Sequence, residues 1–215
     1  ILYVINTHVH PDHVLGNAAF KDDHPTFVGH EKLADAMAQR KDTYLRNQPG
    51  WVGADAAGSE LIPPTQAVVG TQTIDLGGRS LQLTAHPAAH TNNDLTIFDT
   101  TTATLWTGDL LFVERTPSFD GDLKGWLQAI AQLRSIPAVR AIPGHGPVTS
   151  DWHAALDTGV LDGGCRNAFT QHGRALHDKG AKHAAGEKAP CIVDHDRDLA
   201  DGLHIVKSAG HGFVV

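Results

Sequence analysis

The chain is poor in sulfur: 2 Cys and 1 Met in 215 residues. Two cysteines cannot build a disulfide framework or a Cys-rich zinc module, so stability has to come from a packed core. Long apolar runs are also missing, and nothing approaches the ~20 residues that a membrane-crossing helix needs. Basic residues are in the minority, 17 against 24 acidic ones, for a net charge of -7. That balance argues against a nucleic-acid binder working through a basic surface. The length suits one domain with a sizeable core. What stands out against these shortages is His, present 15 times.

The first residues, Ile1-Leu2-Tyr3-Val4-Ile5, form an apolar run with no cap or turn before it. Such a run reads as a buried strand with both faces covered. A buried strand needs neighbours, so further strands of its sheet are expected upstream of residue 1. Further along, Asp12 is a candidate cap for a short helix toward Phe20, and Thr26-Phe27-Val28 reads as a short strand. A helix is expected from Glu31 to Leu45, with Leu33, Met37 and Tyr44 near one face. Residues 47 to 65 carry Pro49, Gly50, Gly53, Gly58, Pro63 and Pro64, which reads as a long irregular loop of the kind that is usually functional or mobile. Strands are expected at Gln72–Leu76 and Ser80–Ala85, around a Gly77-Gly78 turn, and then at Leu95–Phe98 and Thr104–Trp106. Asp122 to Leu133 has the apolar stripe of an amphipathic helix, and Val139–Ile142 reads as a last short strand before Pro143-Gly144-His145-Gly146. Strands interleaved with helices indicate an α/β, layered domain over residues 1–150. Residues 151–215 hold 7 His, 9 Gly and 8 Asp with weak periodicity, and read as a C-terminal helix followed by a poorly packed or disordered tail.

The chemistry is concentrated in His8-Val9-His10-Pro11-Asp12-His13. Four metal-capable side chains follow the end of a strand, where a loop can aim them at one point. At this chain's His and Asp frequencies, the pattern arises by chance in roughly one such sequence in two hundred. Neighbouring side chains cannot all reach a single ion, so the motif needs partners from later strand ends. Three polar residues stand just past apolar strands: His90 in Ala89-His90-Thr91, Asp109 in Gly108-Asp109-Leu110, and His145 in Gly144-His145-Gly146. The adjoining glycines permit close backbone approach. Taken singly, each is better read as an ordinary turn residue; the first motif, which needs partners, reverses that weighting. His24, His30 and His86 lie near these loops, and His86 is the expected supporting partner of a ligand.

This ordered set resembles the metallo-β-lactamase superfamily, with Ala89 standing where many members have Gly. The resemblance implies a four-layer αβ/βα sandwich with the site at its edge, and strands before the first motif. It implies that His8, His10 and His90 hold one metal, that Asp12, His13 and His145 hold a second, and that Asp109 bridges them. By ligand type the expected cofactors are two Zn²⁺, with iron left open. Thr91-Asn92-Asn93-Asp94-Leu95 and residues 108–117 look like the quinoprotein relay system zinc metallohydrolases, which implies a periplasmic setting. The expected activity is hydrolysis of a small-molecule ester, thioester, lactone or amide-type substrate, with Asp12 orienting the nucleophile or carrying its proton. An iron-dependent oxidoreductase of the persulfide-dioxygenase type and an inactive fragment are the alternatives. Gln48–Pro64 and Val113–Asp120 are the expected substrate-selecting loops, where Arg115 either meets an anionic group or makes a surface ion pair. The expected partner is a small molecule, with no nucleic acid and no membrane span; the sequence sets no oligomeric state.

Overall fold

Alternation along the strands decides which core each residue joins. In β1 (Tyr3–Ile5) and β2 (Thr26–His30), Ile5 and Val28 point one way, while Val4 and Phe27 point the other. The computed structural model describes residues 1–159, 205–208 and 211–215. Here β1 and β2 pair in parallel, and β3 (Gln66–Val68) extends the sheet beyond β2. On the other side, β10 (His211–Val214) runs parallel to β1, and β9 (Ile205–Ser208) pairs antiparallel to β10. A segment from the far C-terminal end therefore supplies one of the neighbours that a buried first strand needs. The expected poorly packed tail lies mostly outside the described residues. Where it is described, it forms α4 (Trp152–Gly159) and these two strands.

The second sheet has the order β4-β5-β6-β7-β8: Thr71–Asp75, Ser80–Ala85, Leu95–Asp99, Thr104–Phe112 and Arg140–His145. Ile5, Val28 and Val68 of the first sheet meet Leu81, Leu83, Leu95 and Ile97 of the second in one buried cluster, so the sheets pack face to face. Each of these fully buried aliphatic side chains contributes about 1.5–3 kcal/mol by leaving water. On the outer face of the second sheet, α3 (Leu123–Leu133) inserts Trp126, Ile130 and Leu133 against Phe98, Leu105 and Leu110, and α4 adds Trp152 and Leu156. On the opposite side of the molecule, α2 (Leu33–Val52) buries Leu33, Met37 and Tyr44 against Val9 and Val14 of the first motif loop. Helices, two sheets and helices give the layered mixed α/β architecture expected from the sequence.

Three elements differ from expectation, and each for a physical reason. The long loop expected from residue 47 begins later, because α2 continues through Pro49 and Gly50 to Val52 and a 3₁₀ turn follows at Gly53–Ala56. Trp51 sits edge-on to Tyr44, with ring centroids 6.1 Å apart, and joins the cluster with Leu45 and Leu61. Tertiary packing overrides the local cost of Pro and Gly. Asp12 caps no helix; α1 (Pro11–Val14) starts from His10, with Pro11 in the first turn where its missing N–H costs nothing. A nine-residue 3₁₀ helix, Leu15–Asp23, then takes the place of the expected α-helix toward Phe20. The strand expected at Thr104–Trp106 runs on to Phe112, since Gly108 adopts φ +52° and lets pairing with β8 resume after an irregularity.

At the end of β6, buried Asp99 accepts hydrogen bonds from Arg79 Nε (2.9 Å), Thr101 N (2.9 Å) and the Thr102 hydroxyl. Burial alone would raise its pKa, but these donors and the Arg79 charge hold it below the usual carboxylate value. A depressed carboxylate contributes stability that is complete above its unfolded-state pKa of about 3.9 and is lost as pH falls through the lower folded value. Asp99→Asn should therefore cost about 3 kcal/mol in denaturant unfolding at neutral pH. It should also flatten the loss of stability on acidification below about pH 4, and an unchanged acid limb would count against the assignment.

Candidate metal centre

The seven residues singled out in the sequence come together at one edge of the sheet pair. His8, His10, His90 and Asp109 form one group of metal-capable side chains; Asp12, His13 and His145 form another. Within each group the ligand atoms lie within 4.8 Å of one another. β1 delivers the first motif, and α1 turns Asp12 and His13 back toward it. Asn6 fixes this bend, donating from Nδ2 to His13 O (2.8 Å), while Asn6 and Asn17 exchange two buried amide hydrogen bonds. His90 follows β5 in a turn locked by Asp94, which accepts from Thr91 N (2.9 Å) and Thr91 Oγ1 (2.7 Å).

Asp109 lies inside β7 instead of after it, and His145 is the last residue of β8 instead of standing in a separate turn. The two strands meet closely because Gly144 has no side chain: a Cβ there would lie 1.9 Å from Asp109 Oδ1. Gly146, at φ +98°, lets the chain turn against the Val113 carbonyl, which a Cβ would meet at 1.8 Å.

Asp109 sits between the two groups. Its Oδ2 is 3.6 Å from His8 Nε2, 3.2 Å from His90 Nε2 and 3.4 Å from His145 Nε2, and its Oδ1 is 3.2 Å from His13 Nε2. Asp12 Oδ2 lies 3.3 Å from His13 Nε2 and 3.1 Å from His145 Nε2. On the other side, His10 Nδ1 is 3.0 Å from both His8 Nε2 and His90 Nε2. A tetrahedral ion with metal–nitrogen bonds of ~2.0 Å separates its ligands by about 3.3 Å, so the three imidazoles are spaced for one cation. His13 Nε2 and Asp109 Oδ1 are buried without a hydrogen-bond partner, the pairing a cation would complete. The donor set is nitrogen and oxygen throughout, and each of the two groups could hold a metal ion.

The outer atoms of the rings are held as well. His90 Nδ1 lies 3.1 Å from Ser118 O; a carbonyl only accepts, so this nitrogen carries the proton and Nε2 keeps its lone pair for the site. The Thr7 hydroxyl contacts Nδ1 of both His8 (3.2 Å) and His13 (3.3 Å), touching one ring from each group. His10 Nε2 faces Asp120 Oδ2 at 3.4 Å, and Arg40 on α2 donates to the same oxygen at 3.0 Å. Asp120 had no signal in the sequence beyond lying in a candidate loop, 110 positions from His10. His86, the expected supporting partner, plays another part: its Nε2 pairs with Thr96 Oγ1 at 2.8 Å, and its carbonyl accepts from His30. Neither belongs to the two groups of metal-capable side chains.

Burial drives the His8 pKa well below the ordinary value, with the charge on His13 adding to the effect. For His13, burial opposes the charged form, but the Asp12 and Asp109 carboxylates outweigh it and raise the pKa well above normal. His145 is raised to about 9 in the same way, against burial, by hydrogen bonds to Asp109 and Asp12. Both carboxylates are held well below the usual range despite burial, Asp12 by His13 and His145, and Asp109 by His13, His8 and His90. Burial thus favours the neutral imidazole at His8, whereas His13 and His145 favour the imidazolium, and a cation entering beside them must displace their protons.

Residues 1–145 match the family model described as Metallo-beta-lactamase superfamily. Among solved structures, the chain is similar to a metallo-beta-lactamase from Pontibacter korlensis, at 21% identity and TM-score 0.58, over 73% of this chain and 66% of that one. It is similar to a metallo-beta-lactamase family protein from Thermus thermophilus, at 18% identity and TM-score 0.60, over 83% and 65%. A variant of a sec-alkyl sulfatase aligns at 15% identity and TM-score 0.58, over 85% of this chain and 37% of that one. The chain thus spans slightly under two thirds of the first and second of these structures. No curated protein matches it.

The close approach at Gly144 gives a direct test. Gly144→Ala should push Asp109 away, weaken metal binding at least ~10-fold and cost about 1–3 kcal/mol of stability. Metal titration and thermal melting read the two effects, and wild-type metal affinity in this variant would show that Asp109 does not depend on the gap.

Proposed function

The chain belongs to the metallo-beta-lactamase superfamily, and from that premise we propose that it is a metal-dependent hydrolase with a two-zinc centre. The observation that carries the reading is the carboxylate of Asp109, buried and set between a three-histidine group and an Asp-His-His group. In this reading His8, His10 and His90 hold one ion, Asp12, His13 and His145 hold the other, and Asp109 is shared. Nitrogen and oxygen donors without thiolate suit Zn²⁺. Bound there, zinc would supply Lewis acidity, lowering the pKa of a coordinated water toward ~7 and polarising a substrate oxygen.

The protein's own groups do the rest. Asp12 is held anionic by its histidine neighbours, and its side chain is 14% exposed, so Oδ2 can accept a hydrogen bond from the attacking water and orient it. Three imidazoles locked by their outer nitrogens keep the first group's lone pairs aimed at one point, which avoids reorganisation during reaction. Phe119, half-exposed and stacked on Trp126 with the rings 5° from parallel, offers an apolar surface beside Asp120 for the substrate. No Ser, Cys or Lys nucleophile is required. The substrate is a small ester, thioester, lactone or amide-type molecule. The likeness of residues 91–95 and 108–117 to the quinoprotein relay system zinc metallohydrolases extends the proposal to that sub-family and to the periplasm.

Protein produced in medium containing both zinc and iron should carry about two zinc per chain. Chelation should abolish hydrolysis of an ester and lactone panel, and zinc should restore it. His8→Ala combined with His10→Ala should remove roughly one metal and lower hydrolysis by ~10³-fold or more. Unchanged metal content in that variant, or iron as the dominant metal, would overturn the zinc reading.

A further inference from the structure

His10 differs from the other histidines of its group. His8 and His90 turn Nε2 inward, whereas His10 turns Nδ1 inward and points Nε2 at Asp120. A neutral imidazole ligates through one nitrogen only when the other carries the proton, so whatever accepts that proton selects the ligating atom. A carboxylate only accepts, and it therefore favours the form with Nε2 protonated and Nδ1 free.

The carboxylate is itself anchored. Arg40 Nη2 donates to Asp120 Oδ2 at 3.0 Å from α2, and the backbone N–H of Asp120 donates to His90 O at 3.1 Å. Two residues away, Ser118 O receives His90 Nδ1, and Asp122 N donates to Ala89 O at 2.8 Å before capping α3 through Gly125 N. Gly121 permits this docking, since a Cβ there would meet Ala89 O at 2.2 Å. One short segment, 118–122, thus supports two of the three histidines of the first group. Among the described residues, the polar partners of Asp120 are His10, Arg40 and the His90 backbone; it bonds neither His13 nor His145.

We propose that Asp120 is a positioning residue, braced by Arg40, that fixes the ligating nitrogen of His10 and thereby sets the metal affinity of the His8–His10–His90 group while leaving the Asp12–His13–His145 group unaffected. The proposal rests on the metal reading above and adds a determinant outside the seven ligands.

Stepwise Zn²⁺ titration against a chromophoric chelator tests it, on wild type, Asp120→Asn, Asp120→Glu and Arg40→Gln, with thermal melting of each metal-stripped protein. Asp120→Asn should weaken one binding step ~10–100-fold and leave the other step and the metal-stripped melting temperature unchanged. Asp120→Glu should restore much of the loss, and Arg40→Gln should give a smaller weakening of the same step. Two unchanged steps in Asp120→Asn, with wild type binding two zinc, would overturn this proposal alone. Equal weakening of both steps with a lowered melting temperature would show a merely structural role and overturn it too. A wild type that binds no zinc would overturn both this proposal and the hydrolase reading.

Discussion

The organisation of this molecule depends on placing one carboxylate, Asp109, in a buried position among four imidazole rings. A bare carboxylate taken out of water loses several kcal/mol of hydration, and only close partners of opposite charge or a bound cation offset that loss. Here His8, His13, His90 and His145 all lie within 3.6 Å of its oxygens. The backbone is bent to make this possible: Gly108 takes a left-handed conformation in mid-strand, and Gly144 leaves the space that Asp109 fills. The irregular pairing of β7 with β8 is the geometric cost of aiming a side chain out of a sheet interior.

From that carboxylate outward, four of the metal-capable histidines, His8, His10, His13 and His90, are held twice, once by the chain and once by the far side of the ring. Thr7 touches one ring of each group, Ser118 fixes His90, and Asp120 faces His10. Such outer contacts govern which nitrogen has a free lone pair, and so decide whether converging histidines act as ligands or as a hydrogen-bonded cluster. The apolar layers serve the same end. Trp126 and Phe112 pack against His90, and Phe112 stacks on His145, so the outer core of the second sheet continues into the walls of the centre.

The two halves of the centre differ electrostatically. Burial disfavours charge on His8 in the three-histidine half, whereas Asp12 and Asp109 draw protons onto His13 and His145 in the other half. Ions entering the halves therefore face different competition, desolvation in one and proton displacement in the other. Likeness to a sec-alkyl sulfatase alongside metallo-beta-lactamases shows how widely the architecture is shared, and chemistry on a shared fold is set by the site and its loops.

Much of the centre was legible in the residues themselves. Four metal-capable side chains in six positions are a dense local signal, and His90, Asp109 and His145 each stand where an apolar run gives way to glycine or small residues. The layered α/β class followed from alternating strand and helix patterns, since side-chain period is written locally. Other features depended on contacts between distant positions. Pro49 and Gly50 read as loop, but Trp51 against Tyr44 keeps them helical. The strand through Gly108 read as ended because its continuation depends on β8, and the partner of β1 on one side comes from the far end of the chain. His86 looked like a supporting residue by proximity in sequence, while Asp120, 110 positions from His10, takes that place in space. The sequence by itself determined the ligand types and the order in which they occur, because those are properties of single residues and short spacings. Only the tertiary structure decided which nitrogen of each ring faces the site and what holds it there, because those choices rest on hydrogen bonds that exist only once the sheets and helices have packed.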